Sequence, residues 1–596
     1  MFLRMTTRKK DGKEHRYWSI VENHRVSGGR VVQKHVLYLG EINDSQREAW
    51  WRSIEILENG KKKPRKVSLF PEDRKVQSNE HDVIHVQVNR MRLERPRQWG
   101  ACWLALLLWD QLKLDQYWAE KLMPSRKGTR WLNLLKILVS YRLIQPGSEW
   151  QLHREWYGNS AIGDLLGEEG EAVPYQNLYR CLDKLLEHKN GMFSFLKQRW
   201  QDMFNVDFDV LLYDLTSTYF ECDPPGTGKR RYGYSRDKRF DCVQVVIALV
   251  VTPDGFPLCY EVMEGNTSDR TTLRQFLNKI EDQYGKARRV WIMDRGIPTE
   301  EVLEEMRQSE TPVFYLVGTP KGRLNKLEAE LLSLPWEKVR ESLSVKLLKQ
   351  DGELYVLASS SSRQSKERAM RRRRLKRYWN RLKELSNQKL DRDRLLMKIG
   401  AARKEAGNAS RLVELSFPLP NQPITPETFR FSLCRDKLRT LRKQEGQYLL
   451  RSNLVGEDAS TLWKYYIQLV EVEQAFKTLK MDLSLRPVFH QKDHRIEAHI
   501  FVAFLSYCLQ VTLQQRLKAL APGLTVRSVL EKFASIQLVD VHLPTTDGRE
   551  LRLPRYTEPN KEQLLLLSRL DLNLPPQPRP ELLDKKPAMP KLTMNV

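Results

Sequence analysis

The chain has 596 residues, with 100 Lys and Arg against 75 Asp and Glu, a formal charge of +25 and a pI near 9.6. An excess of that size points to a polyanionic partner, nucleic acid first, and a carbohydrate hydrolase built on paired acids would leave it unexplained. No apolar run reads as long enough to span a bilayer and no signal peptide is visible at Met1, so a cytoplasmic protein without a membrane partner is expected.

At 41% hydrophobic and 29% charged, the composition is that of a globular chain with several domains. Residues 1–58 read as a β-rich module: YWSIV and VVQKHVLYLG are short β-like runs between Arg16 and Glu41, with Gly28 and Gly29 as the turn. Residues 59–91 are polar and Lys-rich and read as a linker. From 92 to 205 the apolar period becomes helical, as in WLNLLKILVSYRLI. Basic and aromatic residues interleave there, including Arg126, Lys127, Arg130, Trp131, Arg154 and Trp156; they suit a DNA-end-binding domain and equally a solvated basic face over an aromatic core.

In residues 206–318, Val210, Leu211 and Leu212 form one continuous apolar run and Val290, Trp291, Ile292 and Met293 another, the pattern of strands buried on both faces. Each run is broken by an aspartate, Asp214 and Asp294. CVQVVIALVV and FPLCYEVME pair as a hairpin across Asp254-Gly255, and Asp269 is expected to cap the helix from Arg270 to Tyr284. The order strand, strand, strand, helix, strand, helix, strand gives the expected fold class: α/β, with an RNase H-like core. Residues 319–460 interrupt it with β-like SVKLLKQ and ELYVLAS and a basic helical run from Arg363 to Lys404 containing Arg371 to Arg374, which suits phosphates or a solvated helical hairpin. Residues 461–520 return as two helices that complete the core. Residues 521–596 read as an extension, extended or disordered beyond Pro554.

Carboxylates gathered at strand ends repel one another unless protons or cations neutralise them, and hard cations such as Mg²⁺ prefer oxygen ligands. On the helix of residues 466–480, Tyr466, Glu473, Lys477 and Lys480 recur at intervals of seven, four and three and share one face, with Leu469, Val472, Phe476 and Leu479 turned to the core. Glu471 points about 160° away and is expected in solvent. Glu221, Asp223 and Asp241 are candidate outer carboxylates. His490, His494 and His499 read as a capped, solvated helix start, because no acidic or thiol ligand completes a zinc motif; the seven cysteines show no CxxC spacing.

With these blocks in order, the chain resembles a bacterial insertion-sequence transposase of the DDE class, in the group marked by a Tyr-x2-Arg-x3-Glu-x6-Lys signature. Tyr466, Glu473 and Lys480 stand at the signature spacing, while Leu469 replaces the arginine. YDLTSTYFE, GYSRDKRFDCVQV, EGNTSD, MDRG and HRIEAHIFVAFL carry the rest of the resemblance. It implies that Asp214, Asp294 and Glu473 are catalytic and bind two Mg²⁺, with Mn²⁺ able to replace it. It further implies cleavage at terminal inverted repeats and strand transfer of the 3′-hydroxyl into target DNA. The partners implied are double-stranded DNA, as element ends and target, and a second copy in a synaptic homodimer on the nucleoid. Tyr466 and Lys480 would hold phosphates, and Lys477 and Arg495 are placed with them as DNA contacts. Arg236, Arg239 and Arg295 either contact DNA or pair with carboxylates, and Trp336 and Trp379 either stack on an extruded base or pack in a core. A nuclease without strand transfer and an inactive DNA-binding relative are the alternatives.

Overall fold

The computed structural model describes residues 2–10, 13–25, 31–41, 84–168, 173–224, 227–285, 288–294, 297–309, 313–319, 334–340, 343–350, 352–388, 390–417, 422–425, 427–486 and 488–584. At the amino end, β1 (Phe2–Lys10), β2 (Lys13–Arg25) and β3 (Val31–Glu41) form an antiparallel sheet. The basic strand β1 was not expected from its sequence. Gly28, Gly29 and most of the expected linker lie outside the described residues.

Strand β4 (Arg92–Gln98) corrects the expectation of an all-helical domain from residue 92, because it pairs with a strand more than four hundred residues later. Helices follow, among them α1 (Gly100–Gln111), α2 (Trp131–Ile144), α3 (Tyr175–Leu182) and α4 (Lys189–Phe204). Their tryptophans Trp103, Trp109, Trp118, Trp156 and Trp200 are buried in the main core, so much of the aromatic half of the basic-aromatic pattern is packing.

Next come β5 (Val210–Phe220), β6 (Val243–Val251), β7 (Pro257–Glu264), α5 (Asp269–Tyr284), β8 (Arg289–Met293), α6 (Glu300–Gln308) and β9 (Val313–Thr319). This is the order read from the sequence, except that Ser268, rather than Asp269, is the cap of α5. Strands β5, β6 and β7 are antiparallel, while β8 pairs in parallel with both β5 and β9.

The intervening residues add β10 (Glu337–Arg340), β11 (Leu343–Gln350), β12 (Glu353–Ser360) and, much later, β15 (Gln447–Ser452), which docks on β9. One mixed sheet of nine strands results, in the order β10-β11-β12-β15-β9-β8-β5-β6-β7, so the insertion extends the core sheet as well as interrupting its sequence. Buried Glu353 joins the parts: it accepts from Arg451 of β15 at 2.5 Å and from Arg307 of α6 at 2.7 Å. Between β12 and β15, α7 (Ser361–Ser386), α8 (Arg392–Ala406), β13 (Val413–Ser416) and β14 (Arg430–Leu433) surround a second small core of Tyr378, Leu382, Leu395, Ile399 and Phe429.

The chain returns through α9 (Ala459–Ile467), α10 (Leu469–Lys477) and α11 (Asp493–Leu520). Helix α11 is long and apolar enough to cross a membrane, correcting the reading that no such run exists; its apolar window is 94% buried inside the protein. After α12 (Val526–Ala534), β16 (Gln537–Pro544), β17 (Glu550–Tyr556) and β18 (Glu581–Leu583) join β4 in a four-stranded sheet, with α13 (Lys561–Arg569) between β17 and β18. The tail expected to be extended or disordered beyond Pro554 is therefore folded through residue 584. Its proline-rich stretch is anchored by Arg555, which donates to the Pro578 carbonyl at 2.7 Å, and by Gln577 against Tyr556.

Candidate active site

Parallel pairing aligns Tyr213 of β5 with Met293 of β8, which places Asp214 and Asp294 one residue further along neighbouring strands. The two aspartates thus lie side by side although 80 residues separate them in the chain. Helix α10 packs across β5 and β6 and presents Glu473 to the same place, with Val472, Ala475 and Phe476 buried beneath it. Burial, together with the charges of Asp294 and Glu473, pushes the Asp214 carboxyl up to about 7, against the lowering effects of the Leu215 amide and Arg236. Glu473 is likewise raised, by partial enclosure and by Asp294, with Arg363 opposing. The three carboxyl groups therefore act on one another as a single electrostatic cluster.

The helix carrying the signature is not one straight rod. It turns at Gln468 between α9 and α10, and from Thr478 to Asp482 it widens into a π turn, where Leu483 N–H reaches the Thr478 carbonyl at 2.9 Å. The single shared face expected for Tyr466, Glu473, Lys477 and Lys480 is corrected accordingly, since each irregularity rotates the residues beyond it. Tyr466 is half-buried with Tyr448 and Trp463, each with its ring centroid 6.0 Å away. Lys477 is exposed. Lys480 donates to Asp237 Oδ1 at 2.9 Å, and Arg486 pairs with the same carboxylate.

Removing that carboxylate would leave two cations facing each other in a mostly buried place. Asp237→Ala is expected to destabilise the chain by about 3 kcal/mol, read from the midpoint of urea unfolding.

The Arg236 charge acts on Asp214, and the Arg236 amide donates to Ser217 Oγ at 3.3 Å. Arg239 pairs with Glu221 at 2.8 Å and Asp241 at 2.9 Å, so those two expected outer carboxylates bind an arginine. Asp223 is exposed, and Arg295 lies outside the described residues. Arg495, expected on DNA, pairs with Asp183 through two hydrogen bonds of 2.7 Å, where the first turn of α11 docks beside the end of α3. Glu471, expected in solvent, is half-buried and lies against the Gly255 turn.

Trp379 packs edge-on against Phe431, with centroids 4.8 Å apart. Trp336 remains exposed, with the Lys346 ammonium 4.9 Å from its ring centroid. His494 is exposed and 3.1 Å from Asp183, but His490 and His499 are buried against Glu149, which corrects their reading as a solvated helix start.

Sequence reasoning missed several residues here. Arg363, in the first turn of α7, lies 4.0 Å from the Tyr448 ring centroid and acts on Glu473, so the insertion reaches the cluster directly. Asp237 has no signal in sequence apart from its GYSRD block. Tyr232, Tyr234 and Phe240, on the same loop, expose 52%, 78% and 64% of their surface. The loop is seated by close backbone approach: a Cβ on Gly233 would lie 2.0 Å from the Gly265 carbonyl, and one on Gly265 would lie 2.1 Å from that of Gln244. The GYSRD and EGNTSD blocks are thus two halves of one packed corner.

Two protein families match the chain: one described as Transposase DDE domain over residues 210–509, the other as IS1634 family transposase, N-terminal domain, over residues 3–66. No curated protein matches. Among solved structures, a chain of the piggyBac transposase synaptic complex with hairpin DNA aligns at 9% identity and a TM-score of 0.34. That alignment covers 72% of this chain and 79% of the other.

Proposed function

The chain belongs to the DDE transposases, with the amino-terminal domain of the IS1634 family, and on that premise we propose that Asp214, Asp294 and Glu473 form its catalytic metal site within an RNase H-like core. The observation that carries this reading is the parallel register of β5 and β8, which sets Asp214 beside Asp294, with α10 packed across β5 bringing Glu473 to them; the Asp214 carboxyl, pushed up to about 7 by burial and by its neighbours, agrees with it. An all-oxygen donor set with surplus negative charge fits hard divalent ions, Mg²⁺ or Mn²⁺, and three carboxylates suit a pair of them. When bound, such ions stabilise the attacking and leaving oxygens of an in-line phosphodiester displacement.

The protein's own groups do the rest. Asp214 is held within β5 by its pairing with β6, and Asp294 follows directly on Met293, the last paired residue of β8. Glu473 closes the cluster from the helix. Arg363 and Arg236, on two sides of it, balance the carboxylates and offer charge to the phosphates. Lys480 and Arg486 exchange Asp237 for a DNA phosphate, and the cations of α7 extend the basic track. Lys480→Ala is expected to weaken end binding at every sequence alike and to reduce the salt slope by about 1, measured by titration at several salt concentrations.

The exposed rings of Trp336, Tyr234 and Phe240 are available to unstacked bases. Trp336→Ala is expected to lose about 1–3 kcal/mol of binding to a distorted or single-stranded end with unchanged folding, measured by fluorescence anisotropy.

The activity we propose is cleavage at the terminal inverted repeats of its own element, followed by joining of the freed 3′-hydroxyl to target DNA. It would be carried out in the cytoplasm by a homodimer that holds two ends. The test is incubation of the full chain, Mg²⁺, a labelled end and a plasmid target. Joined donor–target product supports the reading; cut ends without joined product leave a nuclease in its place.

A further inference from the structure

We propose a second metal site, for zinc, formed by Glu149, His490 and His499 and tying the helical domain to the catalytic core. Oε1 of Glu149, Nε2 of His490 and Nδ1 of His499 stand 3.2 Å apart in all three pairings. An ion that holds N and O ligands tetrahedrally at about 2.0–2.1 Å separates them by roughly 3.3–3.4 Å. The three atoms therefore already form one face of a zinc tetrahedron. All three side chains are 5–6% exposed, and two imidazoles with one carboxylate is a donor set zinc takes with its fourth position open.

Protons satisfy this triangle poorly. If both ring nitrogens donate to the carboxylate oxygen, two N–H groups face each other across 3.2 Å; if Nδ1 of His499 does not, its lone pair lies 3.2 Å from the carboxylate with the longer 3.4 Å approach of Arg142 to accept from. Nε2 of His499 is buried without a partner among the described residues, so the ring gains nothing there from either tautomer. An ion would use all three lone pairs together.

Arg142 sets the character of the fourth ligand. Its Nη2 is 3.4 Å from Nδ1 of His499 and 3.9 Å from Oε1 of Glu149, while Nη1 donates to the Ser484 carbonyl at 3.3 Å. Without an ion, Arg142 is the counter-charge of Glu149. With one, the guanidinium favours an anionic fourth ligand, and a cavity of about 170 Å³ bordered by Ser148, Gln151, Arg486 and Phe489 gives it room.

The site joins three parts of the chain. Glu149 opens the capped turn after α2, His490 lies between the π turn and α11, and His499 is on α11 itself. Zinc there would fix the segment bearing Lys480 and Arg486 against the helical domain, independently of the acidic cluster.

The test uses the full chain carrying Asp214→Asn and Asp294→Asn, which disables the acidic cluster, loaded separately with Zn²⁺ and with Co²⁺ and dialysed. One ion per chain is expected, with the visible absorption of four-coordinate Co²⁺, a zinc-dependent rise in melting temperature, and loss of all three in His490→Gln. X-ray absorption at the zinc edge of the same chain without the His490 change is expected to show two histidine ligands, which decides the matter even if His490→Gln fails to fold. A folded chain that retains no ion, an ion retained by folded His490→Gln, or a shell without two histidines overturns the site and leaves Glu149 with the two imidazoles and Arg142 as its partners among the described residues.

Discussion

Asp294→Asn is expected to reduce cleavage of the element end by at least about 10²–10³-fold, the scale of losing one preorganised electrostatic contact with a transition state, while leaving end binding within about twofold. The side chain keeps its size and its place beyond β8, and only the charge is removed. Asp294 acts on both Asp214 and Glu473, so the same substitution is expected to lower the Asp214 carboxyl from about 7 in part only, because burial, the largest cause of its rise, remains. Loss of activity with a lowered Asp214 separates failure of the cluster from general misfolding. Cleavage assays and carboxyl ¹³C titration of the folded variant measure the two effects.

The second large effect is competition between protons and ions. In the folded chain without ions, Asp214 holds a proton between about 3.8 and about 7, where the unfolded chain has released it. The folded state binds more protons in that window, so this group's contribution to stability falls as pH rises through it. Divalent ions should reverse the loss by neutralising the charge. At limiting Mg²⁺, cleavage is expected to fall about tenfold per unit as pH drops below about 7, and excess Mg²⁺ should restore it. Because the cluster is coupled, the profile belongs to the group of carboxyls rather than to Asp214 alone.

Asp214 and Asp294 were legible because strands buried on both faces read as unbroken apolar runs, in which a single aspartate stands out. Glu473 was legible from its spacing and the resemblance, whereas the turn at Gln468 and the π turn after Lys477 were not. The sequence there reads as one continuous helix, and no local residue marks either irregularity. SVKLLKQ and ELYVLAS were recognised as β-like, but local pattern does not show that β12 pairs with β15 and β15 with β9. The same non-locality hid β4, whose partner β16 begins at Gln537, and the folded carboxy end. It also hid the partner of the histidines: Glu149 is 341 residues from His490, so the carboxylate that pairs with both imidazoles lies outside any sequence window. The carboxylate partner of Arg495 was hidden for the same reason, since Asp183 lies 312 residues away.

The most direct test of the central claim is Mn²⁺ binding, followed by electron paramagnetic resonance, to the full chain on a pre-cut DNA end, in the wild type and in Asp214→Asn, Asp294→Asn and Glu473→Gln. One shared site predicts that each substitution weakens the same ions and that pairs of substitutions add little further. Binding left intact by any one of the three, or losses that simply add, would mean the carboxylates do not act together.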